Sequence, residues 1–155
     1  MYGLISKRTL DEIIIDVTNT LGNGSNNNAH LLLSETAMAE THYGDTPDLH
    51  FTSGYGVFQF DKVAFADTIA RTSKERKALI KRVYNIDLDN VDIIALQWSP
   101  LLSCIMARLF YLLRAGAIPT TLEGRAEYWK KYYNTRLGAG TVSHYIEANQ
   151  NKRFT

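Results

Sequence analysis

One cysteine, Cys104, stands in 155 residues, so the chain can form no internal disulfide. Leu102, Ile105 and Met106 surround it in sequence, which suits a buried, inert thiol better than a nucleophile. Net charge is almost absent too: 17 basic against 16 acidic residues leave +1. That balance excludes nucleic acid as the main partner and gives no global attraction to an anionic cell wall. No apolar run is long enough to span a bilayer, since the best candidate carries Arg108 at its middle, and no stable membrane insertion is expected. Residues 1–8 lack a basic region followed by an apolar run, so no secretory signal is expected. There is no phosphate-binding glycine loop and no dinucleotide fingerprint, and no cofactor is expected. His42, Asp45, Asp48 and His50 match no zinc or calcium spacing, so they read as loop polarity, with no metal site. Internal repeats and interdomain linkers are also missing.

What is present is ordinary globular composition, 45% hydrophobic and 21% charged. The expectation is one mostly α-helical domain over residues 1–155, long enough to bury a substantial core. Thr9-Leu10-Asp11-Glu12 fits a capping box, after which Leu10, Ile13, Ile14, Val17 and Leu21 keep helical spacing up to Gly22. The β-branched run 13–15 would also suit a strand. Residues 22–28 form a turn-rich loop ending at Asn28, a candidate N-cap. Residues 62–82 read as one or two helices. Six basic residues between Arg71 and Arg82 face only Glu75, and a solvated helix face explains them better than an anion-binding patch. Residues 85–90 are acidic and turn-like. Ser99-Pro100 is a helix start and Gly116 a suitable stop; the helix between is apolar around most of its circumference and belongs in the centre of a globule. Arg108 and Arg114 within it need solvent or a carboxylate. Ile118-Pro119 ends that unit. An aromatic-rich helix over 122–133, a turn at Gly138-Ala139-Gly140 and a short last helix capped by Thr141 complete the chain, with 149–155 frayed.

Residues 29–61 organise the functional reading. Leu33, Ala37 and Glu40 recur at i, i+4 and i+7, so a helix places the Glu40 carboxylate on an apolar stripe near its C-terminal end. A carboxyl partly withdrawn from water can stay protonated near neutrality, as a general acid must. Glu35 lies about 140° around the same helix, off that wall, and reads as a surface or structural residue, dispensable to any chemistry. Gly54, Gly56 and the run Val57-Phe58-Gln59-Phe60 follow a polar loop. The helix and this glycine loop could form two walls of one cleft, with a short strand or turn expected at 54–60.

Glu40-Thr41, then Gly54-Tyr55-Gly56-Val57-Phe58-Gln59, then Tyr128-Trp129-Lys130-Lys131-Tyr132-Tyr133-Asn134-Thr135 with Gly138-Ala139-Gly140-Thr141 behind, resemble the lysozyme-like superfamily. The likeness is closest to phage-encoded lytic transglycosylases and goose-type lysozymes. Two departures stand out: the first glycine of the loop is one residue closer than in the family, and the glycine expected soon after Asn134 is displaced to Gly138. Residues 62–97 add little to the likeness.

The resemblance implies a lysozyme-like fold of the lytic transglycosylase type and cleavage of the MurNAc-GlcNAc β-1,4 bond of peptidoglycan glycan strands. Glu40 would act as general acid and then base, the substrate's own 6-hydroxyl closing a 1,6-anhydro ring. Thr41, Tyr55, Gly56, Gln59, Tyr132, Tyr133 and Asn134 are the implied substrate-binding set. Tyr133 matches the family tyrosine, with Tyr132 as its substitute, and Gln59 suits either fixing the loop or touching sugar. A hydrolytic lysozyme would need a second carboxylate, for which Asp45, Asp48 and Asp61 stay open. A non-catalytic wall-binding or virion-structural protein, and a chitin- or chitosan-degrading enzyme, are the remaining alternatives. An endolysin would reach the host periplasm and cell wall through a holin. Virion delivery would add other virion proteins as partners.

Overall fold

The computed structural model describes residues 2–45, 54–134 and 140–150. Its elements are α1 (Lys7–Leu21), α2 (Ala29–Thr41), α3 (Lys62–Arg71), α4 (Lys74–Tyr84), 3-10 turns at Leu88–Asn90 and Ile93–Gln97, α5 (Pro100–Leu112), α6 (Leu122–Trp129), a π-helical turn (Lys130–Asn134) and α7 (Val142–Ala148). The chain is mostly helical, and among the described residues the only β pairing is a bridge between Tyr55 and Phe60.

The central element is α5. Ser99 caps it by accepting the Leu102 amide, and Pro100 occupies the first turn, where its missing N–H goes unneeded. Every residue from Leu102 to Tyr111 is buried, as expected of a helix that is apolar all round. Helices α1, α2 and α3 and the 3-10 turn at Ile93–Gln97 pack against it. Ile13, Ile14 and Ile15 are helical: Ile14 is fully buried on α1 among Leu10 and Val17. Helix propensity differences are small beside that burial.

Four local expectations change. Helix α1 starts three residues earlier than the Thr9 capping box implied, because Ser6 is the N-cap and its hydroxyl accepts the Thr9 amide at 3.2 Å. Glu12 instead pairs with Arg8 one turn away. Asn28 holds the expected N-cap position of α2, but its side chain does not cap: its amide donates to Ile118 O and Pro119 O, and Asn23 Oδ1 takes up the His30 amide at 2.8 Å. Arg108, 3% exposed, is withdrawn from solvent and meets no carboxylate among the described residues: its Nε donates to Gly22 O at 2.8 Å, satisfying a carbonyl past the C-terminus of α1. The aromatic helix expected over 122–133 stops at Trp129 and widens into the π turn.

Residues 62–82 form two helices, each with a hydroxyl or carboxylate cap, Asp61 for α3 and Ser73 for α4. Thr141 caps α7 by accepting the His144 amide. No helix among the described residues is long and apolar enough to cross a membrane.

Candidate active site

Helix α2 is where the expected site begins, and nine of its thirteen residues are buried. Leu33 and Ala37 are sealed in the core while Glu40, at the C-terminal end of the same stripe, is partly exposed. The helix ends in two left-handed residues, His42 and Tyr43, so the chain leaves α2 sharply beyond Thr41.

The glycine loop is fastened to that end. Thr41 Oγ1 donates to Val57 O at 2.8 Å and accepts the Gly44 amide. Tyr55 and Phe60 exchange two backbone hydrogen bonds across the loop. Gly56, at φ +78°, lies so close to the Leu96 carbonyl that a Cβ there would sit 2.5 Å from its oxygen; the Gly56 amide donates to Gln97 Oε1 at 2.8 Å. Gln59 turns its amide group inward, Nε2 donating to Gly56 O at 2.9 Å and to Tyr2 at 3.3 Å. Its Oε1 is buried against Gly54, where a Cβ would come within 2.4 Å, and has no partner among the described residues. Both Nε2 bonds fix the loop, one of the two roles open to Gln59.

The C-terminal block closes the third side. Trp129 is 1% exposed, and its indole Nε1 donates to Glu40 Oε1 at 3.2 Å. Tyr133 in the π turn donates its hydroxyl to Phe58 O at 2.7 Å. Burial, and next the negative charge of Glu40, push the Tyr133 phenol well above its usual range, so it stays a donor. Tyr111 of α5 is pushed up by the same two causes, burial being the larger. Tyr111 and Tyr133 stack with ring centroids 5.3 Å apart. Tyr132 packs instead on Tyr128, edge to face at 4.8 Å, so Tyr133 is the tyrosine joined to the loop. Asn134 accepts from Lys130 one turn back. Short π-helical turns inside α-helices are rare and recur at functional sites.

Glu40, the glycine loop and the aromatic block thus meet, although 89 residues separate Glu40 from Trp129. Two members of the implied binding set turn inward: Thr41 is 1% exposed with its hydroxyl engaged inside the protein, and Gly56 is buried with its amide engaged. They hold the loop. Tyr55, Tyr132 and Tyr133 keep partial exposure. Of the open carboxylates, Asp45 pairs with Lys7 and Asp61 accepts the Ala64 amide as the cap of α3. Asp48, His50, Gly138 and Ala139 lie outside the described residues, as does the rest of the polar stretch 46–53 between the two walls.

Glu35 takes the structural of its two expected places, not the surface one. It is 6% exposed and receives Arg125 in a bidentate pair, Nε to Oε1 at 2.7 Å and Nη2 to Oε2 at 2.9 Å, with the Tyr145 hydroxyl also donating to Oε1 at 2.8 Å. Asn149 adds a bond to Glu35 O. Sequence spacing missed this network because its members lie 90 to 114 residues away. A cationic residue near the start of an aromatic helix was the only local signal.

Two hollows elsewhere on the surface, one beside Lys62, Phe65 and Ile93 and one along the exposed face of α1, contain no residue of this constellation. Among the described residues no trio of His, Cys, Asp and Glu is placed to hold a metal. No family model matches the chain, and neither a curated protein nor a solved structure is similar to it.

Proposed function

We propose that this chain cleaves the MurNAc-GlcNAc β-1,4 bond of peptidoglycan, with Glu40 protonating the leaving oxygen and then acting as base. The observation that carries the reading is the convergence on one partly exposed carboxylate of the three sequence blocks that resemble the lysozyme-like group. Thr41 ties the first block to the second, Tyr133 the second to the third, and Trp129 the third to Glu40. Function resides in such a constellation rather than in helical content.

Intramolecular closure by the 6-hydroxyl needs no second carboxylate, and it fits the engagement of Asp45 and Asp61 elsewhere. A hydrolytic muramidase on the same residues would require a positioned water and a carboxylate to activate it. In this reading the substrate lies in the host cell wall, reached by release or by virion delivery.

Glu40→Gln is the test. It keeps shape and hydrogen bonding but removes the transferable proton, and general acid-base catalysis is worth about 10² to 10⁴ in rate. Zymograms on purified murein should show clearing by the wild type and none by the variant. Mass spectrometry of the products should show anhydro-muropeptides, lighter by one water; reducing ends would assign hydrolysis. Wild-type protein that binds murein without cleaving it would instead support a wall-binding or virion-structural role, and full activity in the variant would remove Glu40 from the mechanism.

A further inference from the structure

The aromatic block does more than wall the site. The Trp129 indole donates to one oxygen of Glu40 at 3.2 Å and is itself packed by two neighbours. Tyr145 of α7 packs on its ring at 5.1 Å between centroids. Gly140 presses against the ring edge, where a Cβ would lie 2.5 Å from Cη2. The buried Glu35–Arg125 pair and the Tyr145 bond to Glu35 lock α6 and α7 onto α2, the helix that carries Glu40. His144 Nε2 donates to Ala39 O at 2.7 Å, the carbonyl just before Glu40. An indole is a donor only, so it can serve a carboxylate but never accept the acid proton.

We infer that Trp129 is the positioning residue of Glu40: its N–H fixes Oε1, orients the carboxyl, and holds back its protonation, with the Glu35–Arg125–Tyr145 network keeping the indole in place. This rests on the reading of Glu40 as the acid, and its direct test does not require activity. A donor to the charged form favours that form. Losing the indole therefore raises the Glu40 pKa. Other titratable and charged groups around Glu40 are Tyr111 on α5, Tyr133 in the π turn, His144 on α7, Glu35 on α2 with its partner Arg125 on α6, and His42 past the end of α2, with Asp61 before α3 acting on Tyr133. Tyr111 and Tyr133 remain protonated throughout the range tested.

The chain has two tryptophans, and Trp98 is 61% exposed, so it serves as an internal control. In 15N-labelled protein titrated from about pH 8 to 4, a range that spans carboxylate titration, the Trp129 indole N–H resonance should move with an inflexion that disappears in Glu40→Gln. The Trp98 resonance should not share it. A flat Trp129 resonance, or an inflexion that survives Glu40→Gln, overturns the inference whether or not the protein cleaves murein. In cleavage assays, Trp129→Phe should move the alkaline limb of kcat/KM to higher pH by about one unit, the size expected for one charge-assisted hydrogen bond at a partly exposed site. An unchanged limb with reduced thermal stability alone would make Trp129 merely structural. Wild type without activity would refute the proposed function while the resonance titration still decides the pairing.

Discussion

Glu35 and Glu40 sit on one helix and differ entirely in what surrounds them. Glu35 is buried and paired, so it belongs to the frame, while Glu40 keeps partial access to solvent at the candidate site. Removing one partner of a buried ion pair leaves the other charge stranded, at a cost of about 3 to 5 kcal/mol. Glu35→Gln should therefore shift the urea unfolding midpoint strongly, whereas Glu40→Gln should leave it nearly unchanged; equal midpoints for both variants would contradict the assignment. His30, beside the same pair, carries a pH signal. Burial first, and Arg125 next, hold its pKa below 6.5, with Glu35 opposing. A base with a lowered folded pKa binds fewer protons folded than unfolded, so stability is full above 6.5 and declines as pH falls below it, until the folded form protonates as well. Replacement by Gln removes this titration. The stability difference between wild type and His30→Gln should shrink as pH drops through that window, and a constant difference in denaturation midpoints would exclude the coupling.

At the scale of elements, the glycine loop depends on α2, the Ile93–Gln97 turn and the π turn together. Gly56 combines φ +78° with a carbonyl 2.5 Å from where a Cβ would go, and Ser103 Oγ would lie 2.6 Å away. Gly56→Ala should cost about 1 to 3 kcal/mol from backbone strain, with the clash adding to it. Because the loop must retreat from Leu96, the Thr41 and Tyr133 bonds to Val57 and Phe58 should loosen too. If the chain cleaves murein as proposed, cleavage should then fall by more than the stability loss explains at a temperature where the variant remains folded. Activity equal to wild type in folded Gly56→Ala would show that the loop does not shape the site. The sequence marked this loop through its glycines, since close approach and positive φ are properties that glycine alone supplies cheaply. It could not mark which groups held the loop, so Thr41 and Gly56 stood only in the binding set that the resemblance implied and Gln59 stayed open between fixing the loop and touching sugar, whereas the hydroxyl of Thr41 and the amides of Gly56 and Gln59 bond within the protein.

Across the whole molecule, stability should be distributed as burial is. Helix α5 is buried through ten successive residues, while α4 buries only Ile80 among its eleven. Native-state hydrogen exchange should therefore be slowest in α5 and fastest, among the longer helices, in α4. Comparable protection in both would show that α4 is covered by something the fold does not provide. The same contrast explains what could be read beforehand. By itself the sequence determined the helical class, the Ser99-Pro100 start, the Thr141 cap, the central place of α5 and the buried thiol of Cys104, since all of these depend on periodicity or on neighbours within about one turn. Only the tertiary structure decided that Arg125 reaches Glu35 across 90 residues, that Arg108 meets the carbonyl of Gly22, and that Trp129 meets Glu40. Such pairings carry no local spacing. They form only when chain closure brings distant helices together, and burial then makes each polar group take whatever partner lies within reach.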